Sequence, residues 1–388
     1  MFPVWLLTAA VASYGLATGF MINASPQACL ALGFTSDQLG LTCGVNPLGY
    51  LAGCLLMGRL FHRGPGKRVL LGGALGSAAV IFLMARARTP GAGAAIQFAH
   101  GFTGGMFWPF ASAWLMEFER PGLARRRLLR HYNLAWCSGI AAGLFASGRF
   151  CGAGWIGEAF GAGAACAALA FVIALLTPSA PPRTRESGAA PGEALPARVP
   201  LAAVAAAGIA NFAALTSRSM VVTTYAELNQ QLGFDAGRMG LITATGIAAQ
   251  LVAFGASGVY EPWLGRRSLY VAMAAALTGA LLAFATSSDL ALILLAVTVQ
   301  GVVMAVAFQT SIFAATGHFR TMRAGTSFHE AVVAVGASAP LAAGWLVQWR
   351  KAGGADPVSA LRSPFYAGIA LVIAALAVQV ALGGRGKR

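Results

Sequence analysis

The chain is 388 residues long, 57% hydrophobic and only 10% charged. A soluble domain carries about 25% charged residues, so most of this surface must face lipid, and a water-soluble globule is excluded. The formal net charge of +15 would attract nucleic acid, but the basic residues sit in short loops without an aromatic-basic face for phosphate tracking, so no nucleic-acid partner is expected.

A membrane-spanning helix needs about 20 mostly apolar residues. Taken in order, twelve segments meet that length: 3–22, 38–60, 69–86, 93–116, 131–150 and 155–177, then 200–226, 237–257, 268–286, 290–314, 325–348 and 364–384. Hydrophobicity does not alternate along them, which excludes the roughly 10-residue strands of a membrane barrel. No Lys or Arg precedes the first apolar run, Met1 to Gly19. It lacks the charged start of a cleavable signal and reads as a retained span. Residues 178–199 are rich in Pro, Gly, Ala, Arg and Glu with no apolar period, which is the composition of a flexible linker.

The two sides of that linker are copies. Leu32-Gly33-Phe34-Thr35-Ser36-Asp37-Gln38-Leu39-Gly40-Leu41 recurs as Leu232-Gly233-Phe234-Asp235-Ala236-Gly237-Arg238-Met239-Gly240-Leu241, with five positions identical. Each copy leads into an apolar segment ending near a glycine, Gly58 or Gly258. A basic turn follows, Gly66-Lys67-Arg68 or Gly265-Arg266-Arg267. A period of half the chain is a duplicated bundle and not a solenoid. The predicted fold is therefore an all-α membrane protein with 12 transmembrane helices in two six-helix pseudo-symmetric bundles, 1–177 and 200–388, joined by the linker 178–199.

Nineteen of the 27 Lys and Arg fall in the loops after the even-numbered spans, in the linker and in the C-terminal tail. The positive-inside rule then predicts a multi-pass inner (plasma) membrane protein with both termini and the linker cytoplasmic. Six cysteines show no metal spacing. Cys29 and Cys151 lie near the outer span ends and either pair or remain free.

Polar groups at bilayer depth are functional candidates. Span 4 carries Gln97, His100, Gly101, Gly104, Gly105, Trp108 and Ser112 on one helical face. His100 there is either a cavity-lining hydrogen bonder and proton carrier or a packed, satisfied histidine. Span 7 carries Asn211, Arg218 and Tyr225 at spacings of seven. Arg218 either holds an anionic substrate group through its planar fork or snorkels to the outer interface. Gln300 in span 10 occupies the repeat position of His100. Asn46-Pro47 and Tyr50 in span 2, and Gln250 in span 8 at the repeat position of Tyr50, either line the site or pack. Glu330 in span 11 reads as a gate ion pair with the loop of Arg320 and Arg323, or as a solvated acid at a helix start. Glu117, Glu227 and Glu330 all read as span-end acids, which leaves proton coupling to His100 or a uniport mechanism. No Walker loop, GxSxG, HExxH or Cys/His metal cluster is present, so neither an enzyme nor a cofactor or metal is expected.

Duplicated six-helix halves with a site between them at mid-membrane suit a rocking transporter. The stretch Gly58-Arg59-Leu60-Phe61-His62-Arg63-Gly64-Pro65-Gly66-Lys67-Arg68 also resembles the loop signature of the major facilitator superfamily, with His62 where the usual acid stands and one extra residue before Gly66. The second copy, Gly258 to Arg267, keeps the glycines and the basic pair but has Pro262 at the acid position. The resemblance implies a monomeric secondary transporter of a small molecule. Gly58, Arg63, Lys67, Arg68, Arg266 and Arg267 would gate it by contacts across the halves. The arginine and the Gly-Pro signature of proton-coupled drug exporters in spans 4 and 5 are missing. The alternative from another class is a transporter-fold receptor or assembly component without transport activity.

Overall fold

The computed structural model describes residues 2–60, 66–118, 125–178, 199–257, 264–319 and 322–383. Among these, fourteen helices form twelve spans and no strand occurs. The first half holds α1 (Phe2–Ala31), α2 (Ser36–Gly44), α3 (Asn46–Leu60), α4 (Gly66–Met84), α5 (Pro90–Met116), α6 (Arg125–Gly152) and α7 (Ile156–Leu176). The second holds α8 (Leu201–Gln231), α9 (Ala236–Gly255), α10 (Arg267–Thr286), α11 (Leu290–His318), α12 (Met322–Ala337), α13 (Pro340–Ala352) and α14 (Pro357–Gly383). Helix is forced because lipid offers no partner for a free backbone N–H or C=O. Side chains such as Leu176, Val252, Leu295 and Ile373 stay exposed on the outer surface, as lipid-facing residues should.

Eleven spans are long and apolar enough on composition alone. The twelfth is α5, which has 27 residues but is diluted by Gln97, His100 and glycines along its inner face. It packs against both α3 and α4.

Two spans are broken, each beside a proline. α2 ends at Gly44 and α3 begins at Asn46, just ahead of Pro47, whose ring has no N–H to return to Cys43. α12 ends at Ala337 and α13 starts at Pro340. The broken spans face each other across the halves, α2 against α13 and α3 against α12. Glycine permits the first contact: a methyl at Gly40 would sit 3.0 Å from Gly344 Cα. A second cross-half seam joins α6 to α9, where a methyl at Gly148 would sit 2.6 Å from Gly240 Cα.

The sequence repeat is a structural repeat bond for bond. Leu32, Gly33 and Phe34 donate to the carbonyls of Ala28, Leu30 and Cys29; Leu232, Gly233 and Phe234 donate to those of Leu228, Gln230 and Asn229. Gly33 and Gly233 have φ of 74° and 76°, a left-handed turn that closes a helix C-terminus at no Cβ cost. The next helix is capped by Gln38 Oε1 accepting from Thr35 N at 3.1 Å in one copy, and by Asp235 Oδ1 accepting from Arg238 N at 2.9 Å in the other.

Boundaries shift most in spans 1, 12 and 5: span 1 runs on to Ala31 instead of ending at 22, and spans 12 and 5 begin at Pro357 and Arg125 instead of 364 and 131; span 7 runs on to Gln231 instead of 226. Most of the linker lies outside the described residues. Cys29 and Cys151 are separate buried free thiols, and Cys151 Sγ lies 3.9 Å from Ser147 Oγ.

Candidate functional site

A crevice between the halves is lined by Ile22 and Leu144 from the first half and by Arg218, Thr243, Gln250 and Gln300 from the second. Arg218 sits 13 residues before the end of α8 at Gln231, about 20 Å along the axis at 1.5 Å per residue. The snorkelling alternative counts about 27 Å from Pro200 to Arg218; the helix runs on for a further 13 residues beyond it. Around Arg218, Nη1 donates to Gln250 Oε1 at 3.4 Å, a long bond. Gln300 Nε2 donates to Ser217 Oγ at 2.7 Å, and Gln250 Nε2 is buried without a partner. No carboxylate within ion-pair distance faces Arg218 among the described residues. A charge at the centre of a spanning helix costs about 2.5–3.5 kcal/mol on insertion scales, so an arginine whose partner among the described residues is one amide at 3.4 Å is held there at a cost. The crevice encloses about 20 Å³ in this state, room for roughly one water-sized group. Anything larger needs the halves to part.

His100 is placed elsewhere. Its ring is 5% exposed inside the first half. Asn46 Nδ2 donates to His100 Nδ1 at 2.9 Å, and to Gln97 Oε1 and the Gln97 carbonyl at 3.0 Å each. An amide N–H donating to Nδ1 leaves the ring proton on Nε2, which has no partner. Gly101 and Gly105, on the same stripe, meet the backbone of α3 at Asn46 and Tyr50. The polar face of α5 therefore seats the broken span. His100 and Arg218, both candidates for the site, are not brought together in this crevice. Asn211 is fully buried with both amide atoms unpartnered, and it too is absent from the crevice lining.

Glu330 is corrected in depth. It lies eight residues into α12, about 12 Å from the helix start. Its carboxylate accepts from Tyr50 Oη at 2.8 Å, across the halves. Arg320 and the side chain of Arg323, its expected partners, lie outside the described residues. His329, the chain neighbour of Glu330, meets Phe308 edge-on at 4.4 Å. An aromatic wall continues from there: Trp108 lies 6.3 Å from Tyr132 and 6.5 Å from Trp136, and Trp136 lies 6.0 Å from Phe254 and 6.4 Å from Phe308 across the interface.

Of the gating residues, Lys67 does not reach across. Its Nζ donates to the carbonyls of Leu175 at 2.9 Å and Thr177 at 2.6 Å, groups that the end of α7 leaves unsatisfied. Arg68, Arg266 and Arg267 are exposed. Gly58 lies in α3, and Arg63 lies outside the described residues.

Sequence reading missed a polar lock at the opposite end of the bundle. Ser36 Oγ donates to Glu227 Oε1 at 2.8 Å, and Lys351 Nζ donates to the same oxygen at 2.6 Å and to Ser36 Oγ at 2.9 Å. Ser36 belongs to the first half, the other two to the second. No periodicity links positions 36, 227 and 351. The only available signal was an acid near the end of span 7, which reads as solvated until the helix is seen to continue past it.

Comparison with known proteins follows from this geometry. The family model described as Major Facilitator Superfamily matches residues 6–207, just over half of the chain. No curated protein matches. Among solved structures, the nucleoside transporter NupG aligns with a TM-score of 0.75 at 13% identity, covering 98% of this chain and 99% of that one. A bacterial homologue of the human lysosomal transporter Spinster, inward-facing and unoccupied, gives 0.76 at 13%, with 98% and 96% covered. An auto-inhibited peptide transporter of the POT family gives 0.73 at 14%, with 100% and 98% covered. Identities this low carry the fold alone.

Proposed function

Because the chain belongs to the major facilitator superfamily, we propose that it is a secondary transporter, moving a small molecule by alternating access between its two six-helix halves. The observation that carries this reading is the Arg218 crevice: an arginine near the middle of its helix, between the halves, without a carboxylate partner among the described residues and beside Gln250, whose Nε2 has no partner. A guanidinium there suits a substrate with an anionic or strongly hydrogen-bonding group. The test is uptake into proteoliposomes across a compound panel, paired with binding to the purified protein. Arg218→Ala should fold and lose at least about tenfold in affinity, the order expected for a lost charge-assisted hydrogen bond of about 1.5–3 kcal/mol. Arg218→Lys should also bind more weakly, because it keeps the charge and loses the fork. Unchanged affinity in a folded Arg218→Ala variant removes the residue from the site.

The basic loops assign the linker, both termini and the Lys67 and Arg267 end to the cytoplasm of an inner membrane. The turns at 32–35 and 232–235 then lie outside. A cysteine replacing Ser187 should be shielded from an impermeant thiol reagent in intact cells, and one replacing Asp235 should react. The reverse pattern sinks the orientation. In this reading the described state is sealed on the external side by the Gly40–Gly344 and Gly148–Gly240 seams and by the lock of Ser36, Glu227 and Lys351. The exposed Arg68 and Arg267 are the groups that would meet the opposite half when the cytoplasmic side closes.

A further inference from the structure

We propose that the interface between the halves takes a zwitterionic ligand, with its anionic group on Arg218 and its cationic group on Glu330. This deepens the transporter reading, and its binding arm does not depend on that reading. Three features of the structure support it. Both residues belong to the second half and both face the first: Arg218 lines a crevice closed by Ile22 and Leu144, and Glu330 reaches Tyr50. Neither has an ion-pair partner among the described residues, since the carboxylate holds a phenol and the guanidinium holds an amide at 3.4 Å. Two opposite charges at depth that, among the described residues, neutralise neither each other nor another ion leave one vacancy of each sign for a ligand to fill. The third is that an aromatic row connects them. Phe254 stands one turn beyond Gln250, the amide partner of Arg218. Phe254 lies 6.0 Å from Phe308, and Phe308 lies 4.4 Å from His329, the chain neighbour of Glu330. The wall between them is aromatic, with Trp136 meeting Phe254 and Phe308. An apolar or aromatic body carrying opposite charges at its two ends fits that lining, and a ring over a cationic group adds attraction.

The experiment uses full-length purified protein and two matched probe trios. Phenylalanine, N-acetylphenylalanine and phenylalaninamide have close charge spacing; 6-aminohexanoate, hexanoate and hexylamine have wide spacing. Ligand-induced thermal stabilisation and direct binding are measured on the wild type, Arg218→Gln, Glu330→Gln and the charge-retaining Glu330→Asp, each checked for a monodisperse profile. In at least one trio the zwitterion should bind at least tenfold more tightly than both single-charge relatives. Glu330→Gln should erase the advantage over the anion, Arg218→Gln should erase the advantage over the cation, and Glu330→Asp should restore part of the first. If the anion binds as tightly as the zwitterion and Glu330→Gln changes nothing, Glu330 serves only to hold Tyr50 and the proposal falls. No preference for a zwitterion in either trio overturns it as well. Uptake of other solutes into proteoliposomes would then keep the transporter reading alive. Zwitterion binding without any uptake would do the reverse.

Discussion

At the scale of single residues, partners separate the groups built into packing from those left for something else. His100 is of the first kind. Its Nδ1 takes an N–H from Asn46, and the ring fixes a broken helix against α5. His100→Gln offers Asn46 another acceptor, so it should fold, and the pH profile of transport between about 5 and 8, where an ordinary histidine titrates, should match that of the wild type. Loss of that profile would return His100 to the role of proton carrier. Arg218 and Glu330 are of the second kind. What the sequence could say about them was uneven. Arg218 stood out because it is a rare ionisable group within an apolar run, and Gln250 and Gln300 stood out through the repeat. Glu330 reads as little more than one turn deep when span 11 starts at 325, whereas α12 starts at Met322. A carboxylate one turn inside a helix looks solvated, while one two turns inside meets Tyr50.

At the scale of elements, spans 2 and 11 stand apart. Each is interrupted at a proline, and each touches its counterpart twice, through Gly40 and Gly344 above the break and through Tyr50 and Glu330 below it. A break between two contacts lets the upper segments part without dragging the lower ones by the same amount. The lock of Ser36, Glu227 and Lys351 sits at the upper contact. Glu227 and Lys351 side chains are 9% and 25% exposed, so this is a partly dry charge pair, and losing a hydrogen bond to a charge there costs about 1.5–3 kcal/mol. Ser36→Ala removes the tie from the first half and leaves the ion pair intact. Gly344→Val pushes a side chain into Gly40. Both should populate the externally open state. With a cysteine replacing Thr243 in the crevice, in a background without other cysteines, labelling by an impermeant maleimide added from outside should rise about tenfold, the factor that 1.4 kcal/mol sets. Labelling as slow as in the parent would show that these contacts follow closure and do not control it.

For the whole molecule, lipid did most of the specifying. For a chain without alternating strands it admits only helices long enough to cross, and the duplicated turn at Gly33 and Gly233 sets how the two halves correspond. The twelve spans were therefore readable from apolar runs. The lock between residues 36, 227 and 351 was not, because it depends on how two rigid bundles come to rest against each other. One exception among the spans has a further consequence, which concerns biogenesis. α5 is too polar to qualify as a span on composition alone, with its glutamine, histidine and glycines matched to the broken span it supports. A segment like that gains little by partitioning into a bilayer from the translocon. It should enter the membrane in company, held by α3 and α4 already waiting there. Placed alone between reporter domains, residues 90–116 should be translocated or left behind in a large fraction of chains, while residues 36–116 should integrate fully. Efficient solitary integration would show that the polar stripe is no burden. If the expectation holds, variants that weaken α5 against α3, such as Gly101→Val, will fail first in synthesis, with chains cleared before they have the chance to bind anything.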